Sequence, residues 1–458
     1  MSVFPEWFWW GAATAAYQIE GAATEGGRTK SIWDTFAATP GRVSGGDTGD
    51  IACDHYHRYR DDVRLMAALG LAAYRFSVSW PRIHPRGSGR ANPAGLAFYD
   101  RLVDELLAAG ILPVLTLYHW DLPQELEDIG GWANRETAVR FAEYAQTVGN
   151  ALGDRVALWS TLNEPWCSAF LGYGSGEHAP GRTDPESALI AAHHLLLGHG
   201  LATQALRANL PTGSPVSIVL NLGAIRPASG SVLDLDAARR IDALQNRLFL
   251  DALLRGRYPD DLLADTVKVS DWSFVRAADL SIISTEIDVL GLNYYGPSEV
   301  GIGAAVVRDA PQEPSAWPGS EHVVFSNPGF PVTDMGWPVD ADGLMEILTR
   351  VRRDYGDVAM MVTENGAAYA DVVDSDGILR DHDRVNYLRE HIAAAGAAIE
   401  AGVDLRGYFV WSLLDNFEWA WGYAKRFGII HVDYATQQRT WKDSALWYQQ
   451  FLATGELT

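Results

Sequence analysis

Two short apolar runs in this chain each end in a glutamate: VALWSTLNEP carries Glu164 and AMMVTENG carries Glu364. Two carboxyl groups facing one cavity are the minimum equipment for cleaving a glycosidic bond. Pro165 removes a ladder donor immediately after Glu164. Asn365-Gly366 is a strong turn signal immediately after Glu364. Both glutamates therefore stand where a buried strand stops. Neighbours on a regular strand face opposite ways, so Asn163 and Glu164 can share a cavity only if the strand end bulges or twists. Each tripeptide alone is short and weak, and the pair gains weight only from where the fold puts it.

Other residues offer less specific chemistry. His119 ends an apolar run in YHWD, but a lone strand-end histidine is more often packed or capping than catalytic. Arg75 lies among small polar residues in AYRFSVSW. A buried arginine needs an anion. A nucleophilic carboxylate would supply one and have its pKa lowered, and a structural salt bridge elsewhere would serve equally. The HYH at 55–57 and the pair His193-His194 lack a third ligand at metal-binding spacing, so no metal is expected. Without a GxGxxG or Walker motif, no nucleotide cofactor is expected either.

The elements that must position these groups alternate between strand and helix patterns, which argues for a parallel α/β sheet. RYRDDVRLMAALG spaces Val63, Met66, Ala67 and Gly70 as an amphipathic helix with a glycine cap. AAYRFSVSW follows, with Tyr74, Phe76, Val78 and Trp80 alternating against Arg75, Ser77 and Ser79. Strands are predicted around 8–17, 72–80, 112–120, 156–164, 216–221, 288–295, 359–364 and 405–412. Eight alternations point to one closed (β/α)8 TIM barrel over residues 1–458. Such barrels gather their chemistry at the C-terminal ends of the strands, in a mouth built by the βα loops. By this count Glu164 ends the fourth strand and Glu364 the seventh. The Pro- and Gly-rich run DAPQEPSAWPGSEHVVFSNPGFP is expected as an ordered loop over that mouth.

At 458 residues the chain exceeds the roughly 250 of a bare barrel, leaving long loops. Its net charge of −22 disfavours a phosphate backbone or an anionic membrane surface as partner. Cys53 and Cys167 are too few for a disulfide framework. The N-terminus lacks a basic region and a small-residue cleavage site. A cytoplasmic protein is the expectation. Most of the 17 Trp, 18 Tyr and 15 Phe are expected in core or barrel packing, while flat rings edged by polar groups suit the apolar faces of sugars, so some excess Trp near strand ends fits a carbohydrate site.

With these residues in hand, the chain resembles a β-glucosidase of glycoside hydrolase family 1. The similarity runs from FWWGAATAAYQIEG at 8–21 to GIIHVDYATQQRTWKDSALWY at 428–448. Between them stand SIWDTF, YRFSVSWPRI, YHWDLPQ, TLNEPW, GLNYYG, MGWPV, VTENG and YFVWSLLDNFEWAWGY. The resemblance implies a (β/α)8 barrel and hydrolysis with retention at the anomeric carbon. It makes Glu364 the nucleophile, kept ionised by Arg75 and Tyr295 with Asn293 in support, and Glu164 the acid/base, whose pKa must be raised. It places Gln18, His119, Asn163, Glu418 and Trp419 on the sugar hydroxyls, Trp411 beneath the ring, and Trp120 and Phe427 as walls. Trp166, His178, Asn221 and Trp337 fall on the leaving-group side. A cis Trp411–Ser412 peptide is also implied.

The implied substrate is a small-molecule β-glucoside, cleaved at a terminal non-reducing β-D-glucosyl residue, with β-galactosides and β-fucosides also accepted. Competing readings are a 6-phospho-β-glycosidase, a thioglucosidase and a non-catalytic sugar-binding relative. A carboxylate at Glu418 repels a phosphate, Glu164 stands where a thioglucosidase has glutamine, and both glutamates are present. Two departures stand out. Gly296 follows NYY where the family commonly has Thr or Ser, which suggests a looser loop behind Tyr295. The stretch around 300–330 is the least family-like, so it leaves the aglycone preference open.

Overall fold

The computed structural model describes residues 4–302, 314–371 and 379–457. Eight parallel strands close into a barrel: Trp9–Ala13, Ala73–Ser77, Leu112–Tyr118, Leu158–Asn163, Val216–Asn221, Val289–Asn293, Met360–Asn365 and Leu405–Trp411. The first pairs with both the second and the eighth, so the closed sheet has no free edge. Each predicted strand core is present. Two ends fall short of the prediction by three residues or more. The first strand stops at Ala13 because the chain turns into a short helix, Ala16–Ile19, whose first backbone N–H is taken by Ser77 Oγ at 2.7 Å. The second stops at Ser77, and Trp80–Ile83 is helical with Pro81 in the first turn, where its missing N–H costs nothing.

The alternation read in the second strand separates two cores. Tyr74 and Phe76 point out to the ring of helices, while Ala73 belongs to the barrel interior with Val114, Leu158, Val289, Met361 and Phe409. Gly11 lets the first strand approach that interior, since a Cβ there would lie 2.5 Å from the Phe409 ring. Arg75, one position further round the same face, sits above this apolar plug and is fully buried.

Helices His55–Leu69, Pro93–Ala108, Glu136–Leu152, Pro185–Asn209, Asp342–Tyr355 and His382–Glu400 pack outside. Their starts follow local chemistry. Asn92 and Asp184 cap the helices that begin at Pro93 and Pro185, with side-chain oxygens accepting backbone N–H groups. Gly70 ends its helix at φ 82°, a left-handed cap that glycine adopts without a Cβ penalty.

Part of the long loop over the mouth is more regular than the sequence suggested. Val323–Ser326 pairs antiparallel with Ser298–Ile302, which pairs with Ile225–Pro227, forming a small sheet beside the barrel. Residues 309–313 of the loop expectation lie outside the described residues. No helix among the described residues is long and apolar enough to cross a membrane.

Candidate active site

Glu164 follows the fourth strand with φ 45°, a left-handed conformation costing a non-glycine residue about 1–2 kcal/mol. The register between the fourth and fifth strands also slips between Ser160 and Asn163. These irregularities supply the required twist. One nitrogen, Asn293 Nδ2, donates to both Glu164 Oε1 at 2.6 Å and Asn163 Oδ1 at 3.1 Å. Trp120 and Trp419 also have positive φ, 76° and 47°. Strain of this kind persists where surrounding structure over-determines the backbone, commonly at functional sites.

Glu364 lies in the last turn of the seventh strand, where pairing to the sixth slips between Val362 and Glu364. Arg75 Nη1 donates to its Oε1 at 2.6 Å and the Tyr295 hydroxyl to its Oε2 at 2.6 Å. The anion Arg75 needed is therefore this glutamate. Arg75 Nη2 reaches on to Asn163 Oδ1 at 2.7 Å, which turns the Asn163 amide nitrogen to His119 Nε2 at 3.0 Å. Burial, then the charge of Arg75, drives the His119 pKa well below its usual value, so the ring is neutral. With Nε2 accepting, Nδ1 carries the proton, and Nδ1 has no protein partner. One relay thus orients the cation beside Glu364, an amide and a histidine donor.

Asn293 sits between the two glutamates, lowering the Glu364 pKa by a side-chain hydrogen bond as well as holding Glu164. Its nitrogen reaches Glu164 and Asn163 because Thr363 Oγ1 holds its Oδ1 at 2.7 Å and points the amide that way. The other partner of Glu164 is Cys167, whose thiol donates to Oε2 at 3.1 Å. Burial pushes that thiol's pKa well up, so it remains a neutral donor. The sequence reading missed this role. The strand-to-helix change after Glu164 was its available signal, since residues three apart share a helix face.

The two carboxyl groups differ in charge environment. Burial, then the charge on Glu364, pushes the Glu164 pKa up to about 7, against the opposing effects of Asn293, Cys167 and Arg75. Burial also raises Glu364, with Arg75 and then Tyr295 opposing it. The expected lowering by Arg75 is present, but desolvation outweighs it. Glu364 is still the member of the pair that ionises first, because it has a cation and a phenol as partners while Glu164 has only neutral donors. Glu418 is raised to about 8 by burial, then by both glutamates, with Gln18 opposing.

These groups face a cavity of about 730 Å³. It is lined by His119, Trp120, Trp411, Glu418, Trp419 and Phe427 around the glutamates. Trp166, His178, Asn221 and Trp337 line it as well. Trp120 and Trp419 lie 4.5 Å apart and His119 stacks on Trp411 at 5.8 Å, so an aromatic wall surrounds the acidic centre. Arg75, Asn163 and Gln18 lie behind this lining. Gln18 donates to Asn416 Oδ1 at 3.0 Å and to the Phe417 carbonyl at 2.9 Å. The Trp411–Ser412 peptide is cis, as implied.

The loop that carries Glu418, Trp419 and Phe427 is staked down by Asp415. This carboxylate accepts from buried Lys442 at 2.7 Å, Arg426 at 2.7 Å and the Gly428 N–H at 3.0 Å. Asp371, Asp415 and His431 bring potential metal ligands within 4.8 Å of one another. Lys442 bridges the two aspartates, however, so cations of the chain already meet their charge.

Gly296 does not loosen the loop behind Tyr295. A Cβ there would stand 2.2 Å from the Pro338 carbonyl oxygen. Glycine instead lets the turn at 332–338 close on Tyr295, with Trp337 5.3 Å from that ring and 6.0 Å from Phe427. Gly296→Ala is expected to displace Pro338 and cost about 1–3 kcal/mol through overpacking. Thermal denaturation and KM for cellobiose should both worsen, and a variant unchanged in both would show that the turn shifts freely.

Comparison with known proteins matches the chain, over residues 1–457, to a family model described as glycosyl hydrolase family 1. A thermostable β-glucosidase B from Thermobispora bispora is 54% identical over 97% of this chain and 90% of its own. A bifunctional β-D-glucosidase/β-D-fucosidase from Bifidobacterium breve is 50% identical over 98% of each chain. The crystal structure of a psychrophilic β-glucosidase from Micrococcus antarcticus superposes with a TM-score of 0.94 at 52% identity, covering 99% of this chain and 98% of that one.

Proposed function

The chain belongs to glycosyl hydrolase family 1, and from that premise we propose that it is a retaining, exo-acting β-glucosidase with Glu364 as nucleophile and Glu164 as acid/base. The observation that carries the role assignment is the unequal set of partners: Arg75 and Tyr295 hold Glu364, whereas Asn293 and Cys167 hold Glu164. In the first step a Glu364 oxygen attacks the anomeric carbon. The bond from that carbon to the leaving oxygen breaks, and Glu164 gives its proton to that oxygen. A glycosyl ester of Glu364 results. Glu164, now a carboxylate, takes a proton from water as the water oxygen attacks the same carbon and the ester bond breaks. Two inversions retain the configuration.

Substrates are cello-oligosaccharides and aryl or alkyl β-glucosides. The name of the Bifidobacterium relative supports β-fucosides as well, and β-galactosides belong to the same reading. A phosphorylated sugar suits the site poorly, because the lining includes, among the described residues, no lysine or arginine to pair with a phosphate. Proton NMR of the nascent sugar tests the mechanism. The first glucose released from an aryl β-glucoside should be the β anomer, and α anomer appearing first would overturn the double displacement.

A further inference from the structure

We propose that Cys167 and Asn221 form a relay that positions Glu164 for proton transfer, fixing Oε2 as the oxygen that carries the proton. The proposal rests on the glycosidase reading above and adds two positioning residues to that same site. Asn293 Nδ2 donates to Glu164 Oε1 at 2.6 Å, and the Cys167 thiol donates to Oε2 at 3.1 Å. The thiol proton is committed to that bond because its sulfur accepts from Asn221 Nδ2 at 3.6 Å, within the longer reach of sulfur. Asn221 and Asn293 are register partners at the ends of the fifth and sixth barrel strands. Two neighbouring asparagines thus address the two oxygens of one carboxyl group, Asn293 directly and Asn221 through sulfur. The backbone fixes the link from the other side. The Cys167 N–H returns to the Glu164 carbonyl at 3.0 Å, and both residues line the cavity with Asn221.

The two donors differ in strength. A close amide N–H makes Oε1 the carbonyl-like oxygen of the protonated acid, which leaves the proton to Oε2. A thiol is only a weak donor, so it orients Oε2 without holding the carboxyl group ionised. Burial keeps the thiol itself neutral, so it donates while Glu164 passes between its acid and base forms. Glu164 is also faced by Glu364 and Arg75, by Tyr295 and by Glu418, and Cys167 is faced by Glu177. Substituting Cys167 or Asn221 removes none of these groups.

The test follows the alkaline limb of kcat/KM on phenyl β-glucoside, whose leaving group needs the proton. Dinitrophenyl β-glucoside, whose leaving group does not, is the comparison. Cys167→Val fills the space without a donor and should move the limb up by about 0.5–1 in pH, because a lost donor disfavours the carboxylate. The plateau on phenyl β-glucoside should fall by about three- to tenfold through poorer aim, and the dinitrophenyl glucoside should lose less, under about twofold. Asn221→Leu should move the limb the same way, and in the Cys167→Val background it should move it no further. Cys167→Ser keeps a donor and an acceptor and should hold the limb at or below that of the parent. A limb unmoved in both Cys167→Val and Asn221→Leu would overturn the relay. Additive shifts in the double variant, a Cys167→Ser limb that rises as far as that of Cys167→Val, or equal plateau losses on both glucosides would do the same. A parent that cleaves neither glucoside would overturn the glycosidase reading itself, whereas an active parent with indifferent variants would remove the relay alone.

Discussion

Glu364→Ala is expected to abolish hydrolysis of every β-glucoside, with kcat falling by at least about 10⁴-fold, since no other group can form the covalent intermediate. Both Glu364 oxygens are aimed by donors at 2.6 Å, Arg75 on one and Tyr295 on the other. The substitution also leaves the buried Arg75 guanidinium without its carboxylate, and unpairing a buried ion costs about 3–5 kcal/mol. Thermal denaturation should therefore fall alongside activity, and Glu364→Gln, which keeps the shape, separates misfolding from lost chemistry. Azide supplies a sharper readout. A small anion can occupy the space beside Arg75 and attack an activated aryl β-glucoside from the nucleophile's side, giving an α-glycosyl azide. Residual hydrolysis above about one per cent of the parent rate, against the loss expected for a missing nucleophile, would move the nucleophile elsewhere.

Glu164→Ala should separate substrates by leaving group. General acid catalysis contributes about 10²–10⁴-fold, so cellobiose hydrolysis should fall by that order. An aryl glucoside with a strongly acidic phenol needs little protonation and should still glycosylate Glu364. The second step then lacks its base, and a burst of phenol followed by slow turnover is the expected time course. Equal losses on both substrates would break the role assignment. The pH dependence has a definite sign. Glu164 must hold its proton for the first step, and burial with the Glu364 charge keeps it protonated up to about 7. In the parent, kcat/KM should fall as pH rises through about 7, and that limb should vanish in the variant. At the acid end activity falls as Glu364 gains a proton, and burial raises this limb from the usual glutamate value.

Legibility in the sequence followed the range of the physics involved. The eight barrel strands could be read because alternation, glycine caps and Pro or Asn-Gly stops act within a few residues. The family motifs placed Trp411, Glu418 and Phe427 on one mouth, and the cavity brings them together. The contact of Asn293 with Glu164 was not legible because its orientation depends on Thr363, which the motif around it does not contain. Gly296 was misread as slack because the Pro338 carbonyl that fills its missing Cβ comes from a distant turn.

The sequence by itself determined that two glutamates end two strands of one parallel barrel, because hydrophobic period and turn chemistry are local. The family resemblance implied which glutamate stays ionised, and only the tertiary structure shows what makes the two differ. That difference comes from burial and from Arg75, which lies 289 positions from Glu364 in the chain and 2.6 Å away in space. Electrostatics in a dry cavity depends on separation in space, and the fold alone sets that separation.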